Sequence, residues 1–175
     1  VQLKREWSAD GASERQECFG LCLEALEKHL PVDQAAAAGG AAGNKRARVV
    51  VPGAGLGRLN FELACRGYDA LGLERAMTMY MTSQYILSSL LPSRRTMPIC
   101  PYAHEAGMGP SNVRLAEQLA RTVLVPDPAA LAAGGDIRSG GRGDARMLPG
   151  DFNAFCALER EQGQWDAVVS AFYVD

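Results

Sequence analysis

RVVVPGAGLGR, residues 48–58, runs three valines and a proline into glycines at every second position. β-Branched residues suit a buried extended strand, so Val49, Val50 and Val51 predict a strand over residues 47–52. Gly53, Gly55 and Gly57 let the backbone approach a ligand where a Cβ would block it. The following RLNFELACR, residues 58–66, spaces Leu59, Phe61, Leu63 and Ala64 along one helical face and stops at Gly67. Strand, glycine turn and helix form the geometry of a nucleotide site, with a tight ligand-free turn as the plain alternative. The dinucleotide fingerprint is GxGxxG, but its third glycine would fall on Arg58, and the pattern here is GxGxG.

Outward from this stretch, residues 13–30 (SERQECFGLCLEALEKHL) carry Cys18, Leu21, Cys22, Ala25, Leu26 and Leu30 at helical spacing before Pro31. Ser13 and Gln16 have the pattern of a capping box. AAAAGGAAGN, residues 35–44, is of low complexity and reads as a flexible connector. A second strand is expected over Tyr68–Leu73, ending at Glu74, and a helix over Met77–Leu91, closed by Pro92. Met77, Met79 and Met81 are expected to fill gaps in the core. Residues 98–112 read as a Pro/Gly-rich loop, Arg114–Arg121 as a short helical turn and Thr122–Val125 as a short extended piece. Residues 126–144 are expected to be a loop, Met147–Phe152 (MLPGDF) a strand end, and Ala167–Val174 another strand.

The 175 residues are 47% hydrophobic, enough for one respectable core. No apolar run approaches the roughly 20 residues of a membrane span. Eighteen basic and twenty acidic residues leave a net charge of −2, which offers no field for a polyanion and argues against nucleic acid as a partner. The five cysteines are odd in number and lack CxxC spacing, as expected of reduced thiols in the cytoplasm, with the nucleus also open. Cys18 and Cys22 share a helical face, but His29 and His104 stand in no ligand pattern with them, so no metal is expected.

Two further features bear on chemistry. Glu74 ends the second strand, where an acid can accept from both ribose hydroxyls. Gly150, Asp151 and Phe152 end the third, where an acid can accept from an adenine amino group and a ring can stack on the base. GxGxG, a strand-terminal acid and GDF, in that order, describe an S-adenosylmethionine (SAM) site of the class I methyltransferase type.

REWSADGASERQEC, VVVPGAGLGRLNFELACRGYDALGLE, PYAHE, VPDP, PGDF and WDAVVSAFYVD together cover most of the chain. In that order they resemble the conserved blocks of the carnosine N-methyltransferase-like family, to whose pattern Pro52 also belongs, where most class I methyltransferases carry an acid before the glycines. The resemblance implies that Gln2 and Arg5 fold over bound SAM, with Arg5 meeting its carboxylate. It implies cofactor contacts at Gly53, Gly55, Gly57, Glu74, Asp151 and Phe152. Ala171 stands where the family often has cysteine, so only a backbone contact is expected there. His104 matches the family block, in which Tyr102 replaces a tryptophan, and it is read as a hydrogen-bonded structural histidine.

The fold class implied is α/β, a Rossmann-like class I SAM-dependent methyltransferase fold, with the N-terminal helix and first four strands present and the C-terminal part of the sheet missing. Residues 1–46 are expected to form a helical segment and connector over the cofactor site, and 47–175 the partial SAM-binding domain. The implied reaction moves the SAM methyl group to an imidazole nitrogen of carnosine or a related histidine-containing dipeptide, giving anserine. A different small-molecule or peptide acceptor, or a non-catalytic SAM-binding fragment, stays open, and an NAD-dependent oxidoreductase is disfavoured by Arg58. The chain ends directly after WDAVVSAFYV, so acceptor residues are expected beyond Asp175, itself the residue expected nearest the methyl group.

Overall fold

A computed structural model of the protein describes residues 2–32, 46–101, 121–138 and 143–171. Its centre is a parallel sheet of four strands: β1 (Arg48–Pro52), β2 (Asp69–Glu74), β5 (Asp144–Pro149) and β6 (Ala167–Val168), in spatial order β5-β2-β1-β6. The chain steps outward from β1 to β2 and β5, then returns to lay β6 on the other side of β1. That reversal creates a switch point between β1 and β6, the place where open α/β sheets bind ligands beyond the carboxyl ends of their strands. Register aligns those ends: Pro52 opposes Leu73, and Glu74 opposes Pro149. The glycine turn, Glu74 and the Gly150–Phe152 turn therefore share one edge of the sheet.

The three valines behave as their branching dictates. Flanked on both sides, β1 buries all of them, and the period of two sends them to opposite faces. Val49 and Val51 join the larger core, which contains residues of α2 (Ala12–His29), α3 (Arg58–Cys65) and α4 (Met77–Tyr85) or the turn that follows it. Val50 meets Leu71, Leu73 and Phe155, the last on the short helix α6 (Phe152–Cys156).

Four local expectations need correction. The Ser13/Gln16 capping box does not form: α2 already begins at Ala12, with Gly11 as its N-cap and no side-chain cap bond. A Cβ on Gly11 would collide with the Arg5 carbonyl oxygen, so glycine is what lets the turn into α2 close on the preceding segment. That segment is itself a helix, α1 (Gln2–Trp7), which the sequence patterns did not reveal. Residues 128–138 are not loop but helix α5 (Pro128–Arg138): the Asp127 carboxylate accepts from the Ala130 amide at 2.8 Å, and Pro128 takes the first helical position, where no amide is needed. The segment read as a loop from residue 98 begins inside β3 (Met97–Ile99), which pairs antiparallel with β4 (Val123–Val125). Finally, Met77 and Met81 are 57% and 60% exposed. Their spacing of four puts both on the outer face of α4, while Met79 points inward. The Met77–Leu91 helix is otherwise present, its end passing into a π-helical turn over Ile86–Leu90. His104, Asp175 and the Arg114–Arg121 segment, except Arg121, lie outside the described residues.

One charged group ties these parts together. The Asp127 carboxylate accepts from Arg58 at 2.7 Å and from Arg15 at 3.1 Å, with the side chains of Asp127 and Arg58 3% and 5% exposed. Removing the acid would leave two guanidinium groups buried without it, a loss of about 3–5 kcal/mol for a broken buried pair. Asparagine still caps a helix, so Asp127→Asn isolates the charge. Urea unfolding of this variant is expected to show a stability loss of that size, and a loss below about 1 kcal/mol would reduce the cluster to a surface pair.

Candidate functional site

The glycine turn works by left-handed backbone. Gly53, Gly55 and Gly57 have φ of 61°, 56° and 79°, a region that side chains enter only with strain. The roles then separate. Gly53 and Gly55 line a cavity of about 300 Å3, whereas Gly57 is the N-cap of α3 and faces the interior, where a Cβ would meet Leu87 and Met147 at 3.3 Å.

Glu74 stabilises the turn from the end of β2. Its Oε2 accepts from the Gly55 amide at 2.8 Å and its Oε1 from the Ala76 amide at 2.7 Å. Each carboxylate oxygen has a second acceptor position beyond these bonds. Glu74 also lies on the boundary between two cavities, because it, Gly53 and Ala76 line both the first and a neighbouring space that contains Asp151 and Phe152. The two spaces form one cleft along the carboxyl edge of the sheet. In the second, Asp151 Oδ1 caps α6 through the amides of Asn153 and Ala154, at 2.9 and 3.1 Å, and Oδ2 takes no part in the cap.

Helix α1 covers the other end of the cleft. Trp7 is fully buried, donates from Nε1 to the Leu56 carbonyl at 3.0 Å, and meets the Phe61 ring edge to face at 5.4 Å. Arg15 donates to the carbonyls of Arg5 and Ser8 at 2.8 and 2.7 Å, holding the end of α1 to α2. Gln2 and Arg5 thus reach the first cavity, which Ala171, after β6, also lines. Of the residues singled out in the sequence, the cleft brings together Gln2, Arg5, Gly53, Gly55, Glu74, Asp151, Phe152 and Ala171.

Sequence reasoning missed Glu6 and Met79. Both line the first cavity. Glu6 is 4% exposed, and its Oε1 accepts from Gln2 Nε2 at 3.1 Å and Arg5 at 3.3 Å. Burial pushes its carboxyl above the ordinary value of 4.5, against the opposing pull of Gln2 and Arg5. Nothing in REWSADG announces this, since an i, i+4 pair of Gln2 and Glu6 is visible only once α1 is known to be a helix. Among the described residues, no group of three or more metal-type side chains assembles and no helix is long and apolar enough to cross a membrane.

Between pH 4.5 and the raised value of the Glu6 carboxyl, the folded chain keeps a proton that the unfolded chain has released, so the contribution of this group to stability is full below 4.5 and is lost as pH rises through that window. Asp69, raised by burial against its Arg46 pair, acts in the same direction. Urea midpoints of the unliganded chain should fall with rising pH there, and Glu6→Gln should flatten the fall by removing one source of it. An identical slope in the variant would count against the assignment.

Comparison with known proteins identifies a family. A family model described as carnosine N-methyltransferase matches residues 1–175. The chain is similar to proteins named carnosine N-methyltransferase from Mus musculus, at 28% identity over 99% of the chain and 38% of that protein, and from Schizosaccharomyces pombe, at 27% over 99% and 42%. It is also similar to carnosine N-methyltransferase unmet of Drosophila melanogaster, at 27% over 99% and 33%. The chain spans about a third to two fifths of the length of these curated relatives.

Proposed function

Because the chain belongs to the carnosine N-methyltransferase family, we propose that the whole protein methylates an imidazole nitrogen of carnosine or a related histidine-containing dipeptide, giving anserine, with SAM as methyl donor. The observation that carries the cofactor half of this reading is Glu74, a carboxylate held by the amides of Gly55 and Ala76 on the boundary between two joined cavities.

The residues present fit such a cofactor. At Gly55 a Cβ would stand 3.2 Å from Gln2 Nε2, so the open cradle exists only because the residue is glycine. Gly53 and Gly55 admit the amino-acid end, and Arg5 is the cation for its carboxylate. The free acceptor positions of Glu74 take the ribose hydroxyls. Asp151 Oδ2 accepts from the adenine amino group while Phe152 stacks on the ring. Gln2 helps close the amino-acid end, and Ala171 offers a backbone contact.

When bound, the cofactor supplies an electrophilic methyl group on a sulfonium. The protein's contribution is to orient and to exclude water: a neutral imidazole nitrogen must approach the methyl in line, so positioning and desolvation account for most of the acceleration. An imidazole with a pKa of about 6.5 is mostly neutral near pH 7 and needs no activation by a covalent step. Asp175 is assigned as the residue nearest the methyl group from its sequence position after β6.

Two measurements test the reading. Calorimetry should detect SAM or S-adenosylhomocysteine binding and none of NAD; NAD binding without SAM heat would overturn it. Transfer of labelled methyl from SAM to carnosine by the whole protein checks the acceptor, and SAM binding with transfer only to another acceptor would replace carnosine while retaining the cofactor. Glu74→Ala is expected to weaken cofactor binding about ten- to a hundredfold, from the loss of charged hydrogen bonds of roughly 1.5–3 kcal/mol. The same carboxylate holds two backbone amides, so unliganded stability should also drop by about 1–3 kcal/mol, and affinity is to be read well below the melting temperature. An unchanged dissociation constant would return Glu74 to a structural role alone.

A further inference from the structure

The cleft contains a buried acid to which the cofactor reading gives no task. Glu6 sits on α1 with its carboxylate against the glycine turn: Oε1 lies 3.4 Å and Oε2 3.9 Å from the point where a Cβ of Gly55 would stand. The space that Gly55 leaves open is thus bounded by an anion. Resting on the proposed SAM site, we infer that Glu6 binds the α-ammonium of the cofactor's amino-acid moiety, the complement to Arg5 on its carboxylate.

Charge balance in a confined space carries the argument. A buried carboxylate needs hydrogen bonds and a cation. In the unliganded chain, Glu6 takes these from Gln2 Nε2 at 3.1 Å, from Arg5 at 3.3 Å and from the backbone amide of Arg58 at the start of α3. Arg5 is therefore shared, because it is also the cation proposed for the ligand's carboxylate. An anion alone entering the cavity would draw Arg5 away and leave Glu6 without its cation. A zwitterion meets both demands, each of its charged ends facing a side chain of opposite sign, and the cavity stays neutral.

The sequence around the turn supports the same assignment. No acid precedes the glycines at the end of β1, where Val51 and Pro52 stand. Among the described residues, the two acids lining this cavity are Glu6 and Glu74, and Glu74 is engaged by the Gly55 and Ala76 amides on the ribose side. The ammonium is left to Glu6.

Calorimetry on the chain with two ligands tests this: S-adenosylhomocysteine, which lacks the sulfonium charge, and its deaminated analogue, which keeps the carboxylate and lacks the amine. In the Glu6→Gln variant, S-adenosylhomocysteine is expected to bind about ten- to a hundredfold more weakly, while affinity for the analogue is unchanged or improved, since the variant no longer needs Arg5 as a counter-ion. A second readout uses the unmutated chain: the side-chain carboxyl carbon resonance of Glu6 should stay at the carboxylate position with S-adenosylhomocysteine and move toward the protonated position with the analogue, which takes Arg5 and offers no ammonium in its place. Equal weakening for both ligands would make Glu6 a prop of the glycine turn and overturn the inference while leaving the cofactor site intact. Loss of SAM affinity without loss for S-adenosylhomocysteine would assign Glu6 to the sulfonium and overturn it as well. Failure of the unmutated chain to bind either ligand would overturn the cofactor reading and this inference together.

Discussion

The Asp127 carboxylate, buried between Arg15 and Arg58, is the constraint on which the other parts of this structure lean. Through Arg58 it reaches the first residue of the helix after the glycine turn, and through Arg15 it reaches the N-terminal helices. Through its own cap of α5 it fixes a third element. A buried ion cluster is rarely the most stabilising choice at a given position, since apolar groups of the same shape often do as well. What it adds is direction. Arg15 also donates to the carbonyls of Arg5 and Ser8, so the orientation of α1 over the cleft is tied to the Asp127 charge through one shared guanidinium.

Around that frame the polar groups of the cleft serve twice. Glu74 holds two amides of the turn and retains acceptor positions, and Asp151 caps α6 with one oxygen while the other stays outside the cap. Rigid carboxylates of this kind lose little freedom when they engage a further donor, because their rotamers are already fixed by the backbone. Gly57 makes the complementary point. It belongs to the same motif as Gly53 and Gly55, but its lack of a side chain serves packing against Leu87 and Met147.

Much of this was legible in the sequence for specific reasons. A run of β-branched residues entering alternate glycines has few structural solutions, and the strand ends at Glu74 and GDF follow once the sheet is parallel. Helix α1 was hidden because six residues with two buried side chains show no full period. Helix α5 was obscured by its interior glycines, although Asp127, Pro128 and the alanines after them carried a start signal. The exposed Met77 and Met81 show the limit of composition, since methionine fills a core only on the face that looks inward. Arg58 is the most instructive case. Its position breaks the dinucleotide fingerprint, and its positive role, an ion pair with a partner 69 positions along the chain and a stack on Trp7, depends on contacts no local pattern encodes.

The burial of Trp7 also makes the two ends of the cleft unequal. To open the end beneath α1, the indole would have to leave its contacts with Phe61 and the Leu56 carbonyl, a cost of about 3–5 kcal/mol if judged by the loss of a large core aromatic. The opposite end is bounded by Arg75 and Ala76, which are exposed, and by the half-buried Gly150, Asp151 and Phe152. Among the described residues, the end beneath α1 is therefore the costlier of the two to open, and the end beside the GDF turn the cheaper.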